Sequence, residues 1–294
     1  MPAPRPQVLG WVLKAAMAAL LGMCLEGQSG PPTATSPADL AQIGLPDAQG
    51  AARFLERFRS RVNAENFYME FDLTALPRKG EETVYRGRLW AGRTAEGPVN
   101  RFAIMDSQGV SHVLLVQSGP GASVWRLEGG HAVPVGIEVL FGPLVPGLQM
   151  TAFDLQMPFF SWPEAKLASI TRIRGRPAYQ FIFSPPESFQ KARSELKAVR
   201  AYLDTEYAAP VQIEYVGADT RTIKTWSLVD LKKVGDRWTV KDLDVRNEVT
   251  RDKARFSATA IAFGDFLDGS LFDPARLGEP VSPPAEQSLI PVGP

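Results

Sequence analysis

The amino-acid sequence predicts a mainly β protein with a few helices, and the stretch from Val199 to Phe263 carries that prediction. It reads as strand-like runs, VRAYLDTEY, VQIEYV, IKTWSLVDLKKV, WTVKDLDVRNEV and ARFSATAIAF, punctuated by turn residues such as Gly217, Asp219, Gly235 and Asp236. The connections are too short for parallel crossovers, so the runs form an antiparallel meander. Within them, apolar and polar residues alternate. Val211, Ile213 and Tyr215 share one face and Gln212 and Glu214 the other, while Leu243 and Val245 oppose Asp242, Asp244 and Arg246. One face of the sheet therefore meets water, and something apolar must cover or fill the other.

Composition narrows the function. The chain has 294 residues, 45% hydrophobic and 22% charged, which is ample material for a core. Once both ends are set aside, a single all-β domain over 37–277 is expected. The 32 Lys and Arg balance 32 Asp and Glu, so no excess charge points to nucleic acid or an anionic surface. The single cysteine, Cys24, lies in the leader, which leaves the folded part without a disulfide framework or a cysteine zinc site. His112 and His131 sit in no metal-ligand spacing, and no G-x-S-x-G elbow, P-loop or dinucleotide fingerprint is present. The expectation is a protein without catalytic residues, metal or cofactor.

The N-terminus reads as an export signal over 1–27. Arg5 and Lys14 precede the apolar run AAMAALLGMCL, and small polar residues follow. An uncleaved membrane span from Val8 to Leu25 is the other reading, and Lys14 in its middle weighs against it. Two modes of cleavage are open. Leu21-Gly22-Met23-Cys24 resembles a bacterial lipobox, which would remove 1–23 and acylate Cys24; ordinary cleavage near Gly27-Gln28-Ser29 would remove Cys24 with the signal. Residues 28–36 form a flexible Pro- and Ser-rich linker.

Ser36 before Pro37 predicts the cap of a short helix, which Gly44 and Pro46 end. Asp47 then caps a second, amphipathic helix with Ala51, Phe54, Leu55, Phe58 and Val62 on its apolar stripe. Asn66 to Thr74 alternates cleanly, with Phe67, Met69, Phe71 and Leu73 on one face. VYRGRLWAGR, VNRFAIMDSQG, SHVLLVQSG and SVWRLEGGHAVPVG add about four more strands. The segment from Ile137 to Ala168 follows neither period, apart from a helical turn expected around Thr151 to Met157. Its Phe153, Phe159, Phe160 and Trp162 make it a candidate plug or lid, or else a connection packed permanently on the sheet. RGRPAYQFIF returns to strand, ESFQKARSELK suggests a short helix, and 278–294 is expected to be a disordered, Pro-rich tail.

The order of these parts resembles the LolA/LolB lipoprotein-carrier superfamily, and in particular its LolA-like outer-membrane lipoprotein-sorting proteins. The resemblance spans Ala48 to Leu277 and rests on NFYMEFDL, TAFDLQMPFF, GRPAYQFIF, VRAYLDTEYAAPVQIEYVGADTRTIKTW, KKVGDRW and LFDPARL. It implies an incomplete, strongly curved antiparallel β-barrel, closed by the N-terminal helix and the middle segment. It also implies a non-catalytic carrier of lipid or lipoprotein acyl chains, exported to the periplasm or the periplasmic face of the outer membrane of a Gram-negative-type bacterium. Envelope transport proteins would be further partners, and an acylated Cys24 would attach the chain to the membrane. The residues expected to line the apolar cavity are Phe67, Met69, Phe71, Leu89, Phe102, Ile104, Val113, Leu115, Phe181 and Ile213. For each of them a packed core is the competing reading. An envelope assembly factor that uses the same fold as a protein-binding module is the alternative for the whole chain.

Overall fold

A computed structural model describes residues 37–60, 66–119, 121–264 and 267–293. The expected signal sequence, the linker, Cys24, Ser36 and Val62 lie outside the described residues. Two helices come first, α1 (Pro37–Ile43) and α2 (Ala48–Ser60). Strands β1 (Phe67–Leu76), β2 (Thr83–Thr94), β3 (Gly97–Met105), β4 (Ser111–Gln117), β5 (Ser123–Glu128) and β6 (His131–Pro134) form the first half of the sheet. After α3 (Ala152–Gln156) come β7 (Ala165–Ile173), β8 (Arg176–Phe183), α4 (Glu187–Ala192), β9 (Ala198–Asp204), β10 (Pro210–Val216), β11 (Thr222–Val234), β12 (Arg237–Asn247), β13 (Lys253–Phe263) and β14 (Ile290–Pro291).

The described strands make one antiparallel sheet in the order β6-β5-β4-β3-β2-β1-β13-β12-β11-β10-β9-β8-β7, with β14 added alongside β13. Each half is a meander of neighbours, and the long-range pair β1·β13 joins the halves, with Phe67 opposite Phe263 and Leu76 opposite Lys253. The sheet curls strongly without closing, so it is an incomplete barrel with few helices. Register shifts at Glu70/Phe71, Leu167/Ser169, Tyr215/Val216 and Leu228/Asp230 insert unpaired residues that bend the strands. Gly87 on β2 stands opposite Phe71 on β1, whose ring lies over it so closely that a Cβ there would be 2.2 Å away.

This topology dictates the path of the middle segment. Strands β6 and β7 are the two edges of the sheet. The chain between them therefore has to pass from one edge to the other, and it does so across the concave face. Leu140, Leu144, Val145, Leu148 and Met150 join the inner-face residues of the strands in one buried cluster. On the convex face Tyr68, Trp90, Val99 and Leu115 are covered by the C-terminal segment, through Phe272 and Leu277. Arg101 fixes that cover by donating to the carbonyls of Leu277 at 2.9 Å and Glu279 at 2.7 Å, and more distantly to Leu271 and Arg276.

Three expectations change. SVWRLEGGHAVPVG is a hairpin rather than one strand, because Gly129 and Gly130 both take positive φ and turn the chain back. The last four residues of the segment read as irregular, Ala165 to Ala168, instead open β7; as an edge strand with one partner it lacks the strong apolar alternation that flags a strand. The end of the chain is not a disordered tail over its described part: Ile290 and Pro291 pair with β13, and Val292 is fully buried. No described helix is long and apolar enough to cross a membrane.

Candidate functional site

Most of the expected inner stripe faces the concavity. Phe67, Met69, Phe71, Leu89, Phe102, Ile104, Phe181 and Ile213 are all buried in the inner cluster. Val113 and Leu115 are not part of it. They lie on the convex face beneath the C-terminal segment, and Leu114 and Val116 face inward instead. SHVLLVQ carries apolar side chains on both faces, so alternation cannot choose between them. The pairing settles it, because Phe102 stands opposite Leu114 and Arg101 opposite Leu115.

The middle segment fills the space this stripe encloses. Phe153 and Phe159 are fully buried, Phe160 is 1% exposed and Trp162 4%. Phe160 packs against Phe183 at 5.6 Å between ring centres and against Phe58 of α2 at 4.6 Å, while Phe153 meets Tyr215 edge-on at 5.3 Å. The local fold has a clear origin. Thr151 caps α3 in a reciprocal box: Asp154 N donates to Thr151 Oγ1 at 3.2 Å, and Thr151 N donates to Asp154 Oδ2 at 2.7 Å. Met157, with φ 46°, ends the turn, and Pro158 opens a 3-10 turn that presents Phe159 and Phe160.

Asp154 also ties this segment to the sheet. Its Oδ1 accepts from the Tyr215 hydroxyl at 2.8 Å, and its Oδ2 accepts from Thr151 Oγ1 and from Lys224 Nζ. Burial and the neighbouring carboxylate push the Tyr215 hydroxyl well above its ordinary pKa, so it stays a proton donor. A second tie comes from α2, whose Arg59 donates to the carbonyls of Phe160 at 2.7 Å and Trp162 at 3.2 Å. Burial lowers the Arg59 pKa below its ordinary value.

Beside Arg59 a groove of about 790 Å³ opens between α2 and the start of edge strand β7. Ala51, Leu55, Ala165, Leu167 and Phe181 supply apolar walls, and Asp47, Arg53, Glu56 and Lys166 are its polar members. Phe181 belongs at once to the groove and to the inner cluster, so the floor of the groove borders the packed interior. Helix α2 forms its outer wall. Phe54 holds the helix in place against Tyr179 at 5.0 Å and Phe181 at 5.9 Å. Leu45, 53% exposed, stands at the α1–α2 end of the groove.

Sequence reasoning did not find Arg59, Asp154, Lys224 or the groove. The available signal for Asp154 was a lone acid inside the most aromatic run of the chain, TAFDLQMPFF. Arg59 lies off the apolar stripe of its helix, and only the fold brings it to the carbonyls of residues about a hundred positions away. Among the described residues no group of three His, Cys, Asp or Glu is placed to hold a metal. His112 Nε2 lies 2.8 Å from Asp106 Oδ2 in a pair apart from the groove.

A family model described only as an uncharacterized protein matches residues 149–279. No curated protein matches the chain. Among solved structures, a proposed outer membrane lipoprotein-sorting protein domain from Vibrio parahaemolyticus has a TM-score of 0.63 at 14% identity, covering 82% of this chain and 99% of that one. A DUF1329 family protein from Desulfovibrio piger gives 0.64 at 12% identity, covering 79% of this chain and 100% of that one. A LolA superfamily protein from Nitrosomonas europaea gives 0.58 at 12% identity, covering 78% and 98%. Their agreement with the open, curled sheet described above identifies the fold of this chain as LolA-like.

Proposed function

We propose that the protein is a non-catalytic, periplasm-facing carrier for the acyl chains of lipids or lipoproteins in outer-membrane lipoprotein sorting. The observation that carries this reading is the groove between α2 and β7, which is apolar in its walls, polar at its margin and floored by Phe181 of the inner cluster. Its volume lies in the usual range of ligand pockets. The leader and the names of the neighbours, a lipoprotein-sorting domain and a LolA superfamily protein, support the same reading. In this account Phe153, Phe159, Phe160 and Trp162 form an exchangeable plug, and envelope transport proteins load and unload the chain. Acylation of Cys24 would anchor it to the membrane.

Magnitudes constrain how such a carrier opens. Exposing four buried aromatic side chains costs on the order of 6–12 kcal/mol, close to the whole stability of an ordinary domain. The plug therefore does not swing out into water by itself. An acyl chain of about 14 carbons gains about 11 kcal/mol on leaving water, so it can enter by the groove and take over the plug's contacts in exchange. Titration with a fluorescent long-chain acyl probe tests this. The wild type is expected to bind stoichiometrically, and Leu167→Asp, in the groove wall, to bind at least tenfold more weakly while still folding cooperatively at a lower melting temperature. Equal binding by both proteins would count against the groove.

The filled interior favours a second reading, an envelope assembly factor that binds a protein on the same fold. Co-purification of a stoichiometric protein partner from delipidated extract, by a chain that takes up no acyl probe, would establish it in place of the carrier.

A further inference from the structure

The two edges of the sheet are finished differently. Strand β6 is four residues long, ends in Pro134 and has the C-terminal segment against its turn, where a Cβ on Gly278 would lie 2.8 Å from the Gly130 carbonyl. Strand β7 runs for nine residues without a proline and pairs with β8 alone. Its open backbone groups follow from the pairing. Arg174 and Gly175, with φ 49° and 83°, form the two-residue loop between β7 and β8, so Ile173 and Arg176 are hydrogen-bonded across the turn and the next pair, Arg172 with Pro177, is not. The Pro177 carbonyl accordingly faces β9 and accepts from Thr205 N at 3.1 Å. Two residues further on, Ile170 with Tyr179 repeats the open arrangement. At the other end Ser184 N donates to the Glu164 carbonyl at 3.0 Å, which leaves the alternate pairs at Ala165 and Leu167 open in turn. The backbone N–H and C=O of Ala165, Leu167 and Ile170 therefore point away from β8, and among the described residues no other backbone segment bonds them.

A long open edge is a template for another strand, and proteins ordinarily shorten or cover it, as this one does at β6. What the edge presents selects the partner. The side chains of Ala165, Leu167 and Ile170 sit on the inner face, partly buried against the core, so an added strand continues that face with apolar residues. Lys166 alternates with them and is exposed, as is Arg174 in the loop. Residues 165–176 hold four cations, Lys166, Arg172, Arg174 and Arg176, and no carboxylate; of these Arg176 is already matched by Asp204. A second copy of β7 would set like charges against each other, which is destabilising. The chain's own linker over 28–36 holds Pro31 and Pro32 and no acid, so it fits the edge poorly. The bulge between Leu167 and Ser169 divides the edge into two short stretches, which suits a single peptide strand better than a second sheet. We propose that β7 docks an extended segment of another protein, with apolar and acidic residues alternating, as an added strand of this sheet. The proposal stands independently of the carrier reading.

The test titrates the full chain with two fluorescein-labelled peptides, one of four Glu-Val repeats and one of four Lys-Val repeats. The acidic peptide is expected to bind at least tenfold more tightly and to slow amide exchange at Ile170, while Thr171, whose N–H faces β8, is unchanged. Lys166→Glu, a change at an exposed side chain, is expected to lose most of the preference. Ile170→Pro removes an outward N–H at an edge where proline is tolerated, and is expected to abolish binding. Equal affinity for the two peptides, binding of neither, or binding without slowed exchange at Ile170 overturns the assignment, as does wild-type affinity in Ile170→Pro. Binding of phosphatidylglycerol vesicles in place of the peptide would give the cations to a membrane surface and overturn it too. The comparison on the wild type needs no variant, so it decides the matter even if Ile170→Pro fails to fold.

Discussion

Asp154 shows how much one side chain can organise. It caps α3, accepts from Tyr215 on β10 and pairs with Lys224 on β11, all from a position 2% exposed. Removing one partner of a buried pair leaves the other charge uncompensated, so Lys224→Met is expected to lower the urea-unfolding free energy by about 3 kcal/mol. Tyr215→Phe, which removes one hydrogen bond to a charged acceptor, should cost about 1.5–3 kcal/mol. Stability unchanged in Lys224→Met would show that the pair does not tie the plug to the sheet. Asp244 makes a prediction about pH. Burial works to raise its pKa, but the hydrogen bond from Arg255 and the charges of Lys253 and Arg255 outweigh it and hold the carboxyl below its ordinary value. A carboxylate depressed in the folded state contributes stability above its unfolded pKa, near 4, and that contribution is lost as pH falls through the folded value. Asp244→Asn should therefore flatten the loss of stability below about pH 4. Tyr215 acts at the other end. Its raised pKa keeps the proton in the folded state after the unfolded chain has lost it, so stability should decline above about pH 10, and less so in Tyr215→Phe.

At the scale of elements, legibility followed the strength of periodic pattern. The strands from Val199 to Phe263 and the strand at Phe67 were readable because they alternate with one buried face. The turn from Thr151 to Met157 was readable because a Thr caps it and a Pro follows. Strand β4 was found but its face was not, since both of its faces are buried, one under the plug and one under the C-terminal segment. The tail over 278–294 was read as disordered because its contacts, the Glu279 carbonyl with Arg101 and Ile290 and Pro291 with β13, are all long-range. Arg101→Met should release it, seen as faster proteolysis within residues 267–291 and a shift in tryptophan emission; an unchanged cleavage pattern would show that Arg101 is dispensable. For α2, Arg59→Met removes the bonds to the Phe160 and Trp162 carbonyls but leaves Phe54 and Phe58 packed. Amide exchange over 48–60 is expected to accelerate at least tenfold and the global unfolding free energy to fall by about 1.5–3 kcal/mol.

For the whole molecule, the sequence made the sheet and its sidedness readable, and the resemblance supplied the open barrel. What it could not supply is what fills the concavity, because that depends on the crossing from β6 to β7. The crossing becomes inevitable only once those strands are known to be the two edges. The same topology relates plug and groove. The aromatic segment lies under α2, Arg59 ties the two together, and the groove enters beside that tie. On the proposed carrier reading, the closed state rests on the molecule's own side chains, and opening would exchange them for the acyl chain of the cargo. The most direct measurement is mass spectrometry of organic extracts from the chain purified natively from the cell envelope, alongside Leu167→Asp purified the same way. The account predicts about one equivalent of acyl-bearing compound with the wild type and a large loss with the variant. Extracts free of acylated compounds, together with a melting temperature indifferent to added acylated ligand, would contradict it.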